Sequence, residues 1–272
     1  MSVKSRKISN IIFKLMTINI ILLISIITLF NISYYIFPIS NDYIVTLDTI
    51  IALGFTSKYI LQVRYGFSDL KLDIKASKIN FEKNFIFSLL IMLIVGLVLF
   101  FYKKLMIILG VNNTNYIEVT TDILVGVVIF APFIEEIFFR RIIYTYIMNN
   151  IKYEKINKYI FLICSTIMFS SVHFSSIYKI ISVIPIGLGL SIIFLYTKNF
   201  VYTWIMHFIY NLTMIFDITK FELNIYRKLP IYLEDVFLLY PFIRFIIIVS
   251  IILILFIVMC KIYKSVLHKI SL

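Results

Sequence analysis

Two carboxylates and two guanidinium groups stand inside an apolar run of this chain, Phe133-Ile134-Glu135-Glu136-Ile137-Phe138-Phe139-Arg140-Arg141. An ionisable group at the centre of a bilayer costs about 2.5–3.5 kcal/mol on insertion scales, so each of these needs either a partner or a task. Further along, two of the three histidines also fall in apolar surroundings: His173 follows Phe169 by four residues, and His207 precedes Asn211 by four. Carboxylates that can take a proton, imidazoles that can accept or donate one, and an amide that can donate a hydrogen bond are the groups needed to activate water and stabilise an oxyanion in a dry site.

The spacing divides the work. Glu136 and Arg140 are four apart, one above the other on a helix face, where they can pair; a structural ion pair and a catalytic role both remain open for Glu136. Glu135 lies roughly 100° around the same helix and cannot share Arg140 with equal ease, which leaves it as the better general base. With help from His173, Glu135 could hold and deprotonate a water for amide hydrolysis. His207 and Asn211, on one face of a helix, could donate to the developing oxyanion, where one such donor is worth about 2.7–4 kcal/mol. A competing scheme uses Glu135, His173 and His207 as ligands of Zn²⁺ with water in the fourth position, although no His-Glu-x-x-His helix is present. The spacing does not decide between metal-bound and carboxylate-bound water. Arg141 reads as an ordinary flanking charge, and His268, in the basic tail, carries no comparable signal.

The elements that must position these residues are membrane helices. Of 272 residues, 61% are hydrophobic and only 15% charged, and the mean hydropathy is +1.00, which excludes a soluble domain with a wet surface. The net charge of +12 is spread in short clusters between apolar runs. That pattern argues against a nucleic-acid-binding face and for cytoplasmic loops. Both cysteines, Cys164 and Cys260, lie in apolar spans, where a disulfide framework is implausible.

At about 20 apolar residues per crossing, the chain is expected to be an all-α polytopic membrane protein with about eight transmembrane helices: 10–36, 44–63, 84–102, 120–147, 157–175, 180–197, 200–217 and 237–262. The second, interrupted by Asp48 and Lys58, is the weakest and could lie in the interface. The catalytic residues are placed on the fourth, fifth and seventh. Residues 1–272 read as a single membrane-embedded domain.

Lys4, Arg6 and Lys7 precede Ile11–Phe30, and loops 64–83 and 148–158 are basic, so the N-terminus is expected in the cytosol of a multi-pass cell-membrane protein. Pro185, Gly187 and Gly189 should loosen the sixth helix and admit a close neighbour, and Tyr202 and Trp204 should anchor the seventh at the interface.

The ordered set Glu135-Glu136-x-x-x-Arg140, Phe169-x-x-x-His173 and His207-x-x-x-Asn211 resembles the CPBP family of intramembrane proteases, also called the Abi or CAAX prenyl endopeptidase type II family. The resemblance covers residues 84–217 as the family core. It implies that Glu135 and His173 activate water, that His207 and Asn211 form the oxyanion hole, and that Glu136, Arg140 and Phe169 support the site. It further implies a peptide or membrane-protein substrate met within membrane lipid. The family is often labelled metalloprotease, while the glutamate–water scheme requires no cofactor. The composition, rich in Ile, Lys, Asn, Tyr and Phe, suits an AT-rich bacterial genome, and bacterial members are linked to bacteriocin maturation, self-immunity and cell-envelope phenotypes.

Two other functions use the same polar residues. A non-catalytic immunity protein would use them as a binding cavity, and a proton-coupled transporter would relay protons through them. The chain shows no inverted repeat of the kind transporters use.

Overall fold

In lipid the backbone must satisfy its own N–H and C=O groups, and long runs of Ile, Leu, Phe and Met leave the helix as the way to do so. The computed structural model describes residues 3–36, 51–53, 56, 61–63, 67–78, 80–109, 126–151, 153–174 and 176–217, and among them there is no strand. Among the described residues three helical stretches are long and apolar enough to cross a membrane: Ile8–Leu29, Phe81–Lys103 and Ile177–Thr197. The expected span 237–262 lies outside the described residues, as does Cys260, and of 44–63 only 51–53, 56 and 61–63 are described.

Helix α1 (Val3–Ile36) buries Ile11, Leu15, Ile18, Leu22 and Ile26, a stripe at helical spacing, and leaves Phe13, Ile20, Ile24 and Ile27 exposed as a lipid-facing side would be. A short helix α2 (Phe67–Ser77) precedes the long α3 (Phe81–Ile108).

Of the segment expected as one helix over 120–147, residues 120–125 lie outside the described residues and the rest is composite. A π-helical turn, Gly126–Phe130, leads into α4 (Ala131–Glu136), a second π-helical stretch follows at Ile137–Ile142, and α5 (Ile143–Asn150) ends the segment. Pro132, near the start of α4, has no N–H to give to the preceding turn. Wider π turns present carbonyls to side chains of other helices. Ile129 O accepts from Trp204 Nε1 at 3.3 Å, and Phe139 O accepts from Ser165 Oγ at 2.8 Å.

Helix α6 (Glu154–Ser171) stops short of the expected 157–175, so His173 sits on the turn after the helix and not within it. The imidazole itself supplies a reason: its Nδ1 lies 2.9 Å from Phe169 O, a carbonyl of the last turn that has lost its helical partner. Helix α7 (Ile177–Thr197) is capped by Ser176 Oγ, which accepts from Lys179 N, and ends at Lys198 in the left-handed region with φ 54°. Helix α8 (Phe200–Asp217) follows after Asn199.

The chain divides into two compact units. One comprises Met1–Val95 and Ile117–Asn211, the other Gly96–Tyr116 and Leu212–Leu272. In the first, α6 packs against α7, α1 and α5. Glycines permit one close approach there: a Cβ on Gly189 would meet Val95 Cγ2 at 2.5 Å, so α3 and α7 touch where a side chain is missing. In the second, the described residues are the C-terminal parts of α3 and α8, with Phe100 and Phe101 in edge contact at 5.4 Å.

The expectation for Tyr202 and Trp204 needs correction. Tyr202 is fully buried and its hydroxyl donates to Ser77 O, while half-buried Trp204 packs edge-on against Phe133 at 5.4 Å. Both tie helices together because α2 and α4 cover the start of α8. Arg141 likewise is more than a flanking charge, since its Nε lies 3.2 Å from Asp73 Oδ2 of α2.

Candidate active site

Glu135 and Glu136 end α4, Arg140 follows in the π-helical stretch, Phe169 lies in the last turn of α6, and His207 lies two turns into α8. These five residues belong to the first unit and form one cluster, which His173 joins through Phe169.

His207 is its hinge. Its Nδ1 is 3.1 Å from Glu136 Oε1 and its Nε2 is 3.9 Å from Glu135 Oε2, so one imidazole lies between the two carboxylates. A carboxylate only accepts, which places a proton on Nδ1 and directs it at Glu136. On its other side, Glu136 Oε2 is 3.2 Å from Arg140 Nε, the pair that the spacing predicts. This contact lacks hydrogen-bond alignment, leaving Glu136 Oε2 and Arg140 Nε and Nη1 without hydrogen-bond partners among the described residues. Arg140 Nη2 donates to Gly187 O of α7 at 3.4 Å. Both Glu136 and Arg140 are 0% exposed, whereas the Glu135 side chain keeps 12%.

Phe169 is the apolar counterpart of His207. Its ring lies 4.6 Å from the Arg140 guanidinium carbon, 5.0 Å from the His173 ring and 5.5 Å from the His207 ring. The guanidinium over the ring face is a cation–π contact in a buried site, where such contacts are strongest. His173 therefore joins the cluster through Phe169; among the described residues it makes no hydrogen bond or ion pair with Glu135. The carbonyl that Nδ1 faces can only accept, so this nitrogen carries the ring proton and Nε2 is left as an acceptor. Asn211 stands one turn beyond His207 on α8 and is half-buried.

Several residues of the site belong to none of the three motifs. Gly187 supplies a carbonyl to Arg140 and admits the Phe169 ring, since a Cβ there would stand 3.0 Å from Phe169 Cδ1. Thr203, fully buried, places its hydroxyl beside Glu136. Asn19 of α1 accepts from Ser171 Oγ at 2.9 Å, two residues before His173. A lone Asn in the apolar run of α1 is the signal that could have singled it out. Ser165 and Ser191, bonded to each other at 3.2 Å, fill the space between α6 and α7 behind Phe139.

Among the described residues no three His, Cys, Asp or Glu side chains form a group able to hold a metal ion. Glu135, His173 and His207 as placed do not fit the three-ligand set that a zinc centre of this kind requires.

No curated protein and no solved structure matches the chain. Residues 119–213, the stretch that carries Glu135, Glu136, Arg140, Phe169, His173, His207 and Asn211, match the family described as type II CAAX prenyl endopeptidase Rce1-like, a protease family and the one that the three motifs resemble.

Proposed function

We propose that this chain is an intramembrane endopeptidase of CAAX type in which Glu135 is the general base for a water nucleophile. One observation carries the reading: of two adjacent carboxylates, Glu136 is enclosed and bound on both sides by Arg140 and His207, while Glu135 keeps an exposed surface and, among the described residues, makes no ion pair with a guanidinium.

In this mechanism Glu135 takes a proton from water, and His173, whose Nε2 is free to accept, helps to orient that water. The hydroxide attacks the carbonyl carbon of the peptide bond. Nε2 of His207, within reach of Glu135, receives the proton and then donates a hydrogen bond to the oxyanion together with Asn211. When the intermediate collapses, the proton returns to the leaving amine. Glu136 and Arg140 hold His207 in the required tautomer and orientation, as a buried carboxylate does in hydrolytic triads. The reaction balances with water alone as co-reactant, and no step uses a metal.

The substrate is a peptide or membrane protein presented from the bilayer, and the basic loops favour an N-terminus in the cytosol. The test is cleavage of prenylated and unprenylated membrane peptides by the purified protein in liposomes, with bound metal quantified by elemental analysis. Activity should persist in metal-free protein and disappear in Glu135→Gln. Full activity in both Glu135→Ala and His173→Ala would overturn the assignment.

A further inference from the structure

Helix α2 is docked with its polar face inward. Asp73 and Ser77 are 7% and 6% exposed; Asp73 pairs with Arg141, its carbonyl accepts from Asn199 Nδ2 at 2.6 Å, and the Ser77 carbonyl accepts from the Tyr202 hydroxyl. A helix held this way presents its remaining residues outward. Lys71, Lys75 and the following Lys78 are all exposed, and Leu72 and Ile74 stand beside them at 63% and 47% exposure.

The depth of this face follows from its anchors. Phe81, just after α2, begins one stretch able to cross the membrane, and Thr197, two residues before Asn199, ends another. Residues tied to α2 thus mark the level at which two such helices leave the hydrocarbon. None of Lys71, Lys75 and Lys78 takes part in an ion pair among the described residues. Three ammonium groups that pair with no carboxylate among the described residues, with two aliphatic side chains beside them at the level of the lipid headgroups, match an anionic surface above and an acyl boundary alongside.

We propose that the outer face of α2, through Lys71, Lys75 and Lys78, binds anionic lipid headgroups and so fastens Arg141 and the start of α8 to the membrane surface. This does not depend on the proteolytic reading, because the observable is lipid binding.

The test uses the full chain in detergent micelles, titrated with phosphatidylglycerol or phosphatidylcholine. Thermal unfolding and the lipid retained in native mass spectra are the two readouts. Phosphatidylglycerol should raise the midpoint by a few degrees and remain bound, and phosphatidylcholine should do neither. The triple variant K71Q/K75Q/K78Q should lose both effects, the triple Arg variant should keep them, and K75Q alone, measured in parallel, should show a partial loss. Equal shifts from the two lipids, or an undiminished phosphatidylglycerol effect in the Gln variants, would overturn the proposal. A shift produced by glycerol phosphate alone would assign the face to free phosphate and would also overturn it.

Discussion

Nδ1 of His207 faces Oε1 of Glu136 at 3.1 Å while Nε2 of the same ring faces Oε2 of Glu135 at 3.9 Å. Two neighbouring carboxylates on α4 are thereby made unequal by a single residue of α8. The tighter contact belongs to the carboxylate already held by Arg140, and the looser one to the carboxylate that retains exposure. Substitution should separate them. Glu135→Gln is expected to lower peptide hydrolysis by about 10²–10⁴-fold, the usual worth of a general base, with the thermal midpoint in detergent unchanged. A large loss of stability in that variant would assign Glu135 to the framework of the fold.

The opposite balance is expected at Glu136. Removing it takes from enclosed Arg140 the carboxylate it pairs with, and breaking one partner of a buried ion pair costs about 3–5 kcal/mol. Glu136→Ala should therefore unfold at markedly lower temperature and lose activity with it. The double variant Glu136→Leu, Arg140→Met, which removes both charges, should regain much of the stability and none of the activity. Circular dichroism melts of the two variants decide this. If the double variant is no more stable than Glu136→Ala, the penalty arises elsewhere than the unpaired guanidinium.

Phe169 touches the Arg140 guanidinium and both site histidines, and it is 1% exposed. Truncation of a buried Phe to Ala typically costs about 3–5 kcal/mol. Phe169→Leu, closer in volume, should preserve much of the fold yet let both imidazoles reorient, so kcat should fall more than KM rises. Nitrogen-15 shifts of labelled histidine provide the structural readout. His173 should appear as the Nδ1-protonated tautomer in the parent protein and lose that preference in the variant.

Much of this site is legible in the motif spacing: the i,i+4 relation of Glu136 and Arg140 fixes their pairing, and the offset of Glu135 leaves it outside that pair. Helix-to-helix partners are not legible there, because periodicity describes one segment at a time. Nothing local to His207 says which carboxylate its Nδ1 meets, and nothing local to Arg141 points to Asp73, whose partner is 68 residues away by the difference of their numbers. The π turns around α4 are hidden for the same reason. Their carbonyls are satisfied by Trp204 and Ser165, so the departure from an ordinary helix depends on residues in α8 and α6. Tyr202 and Trp204 mislead because an aromatic at a helix start suits an interface equally well in the absence of a covering helix.

A final prediction concerns the approach of α3 and α7 at Gly189, two residues beyond the Gly187 that meets Phe169 and Arg140. Gly189→Ala introduces a Cβ that would stand 2.5 Å from Val95 Cγ2, closer than real contacts allow, so the Val95 side chain or one of the two helices must shift. Overpacking of this kind typically costs about 1–3 kcal/mol. Val95→Ala removes the methyl groups that collide, and the double variant Gly189→Ala, Val95→Ala should be more stable than Gly189→Ala alone. Such coupling between touching residues is commonly about 0.5–3 kcal/mol. Thermal melts of the three variants form a complete cycle. Strictly additive losses would show that α3 and α7 do not meet at this glycine; recovery in the double variant, accompanied by recovery of hydrolysis, would tie the helix contact to the Arg140–Gly187 hydrogen bond that it supports.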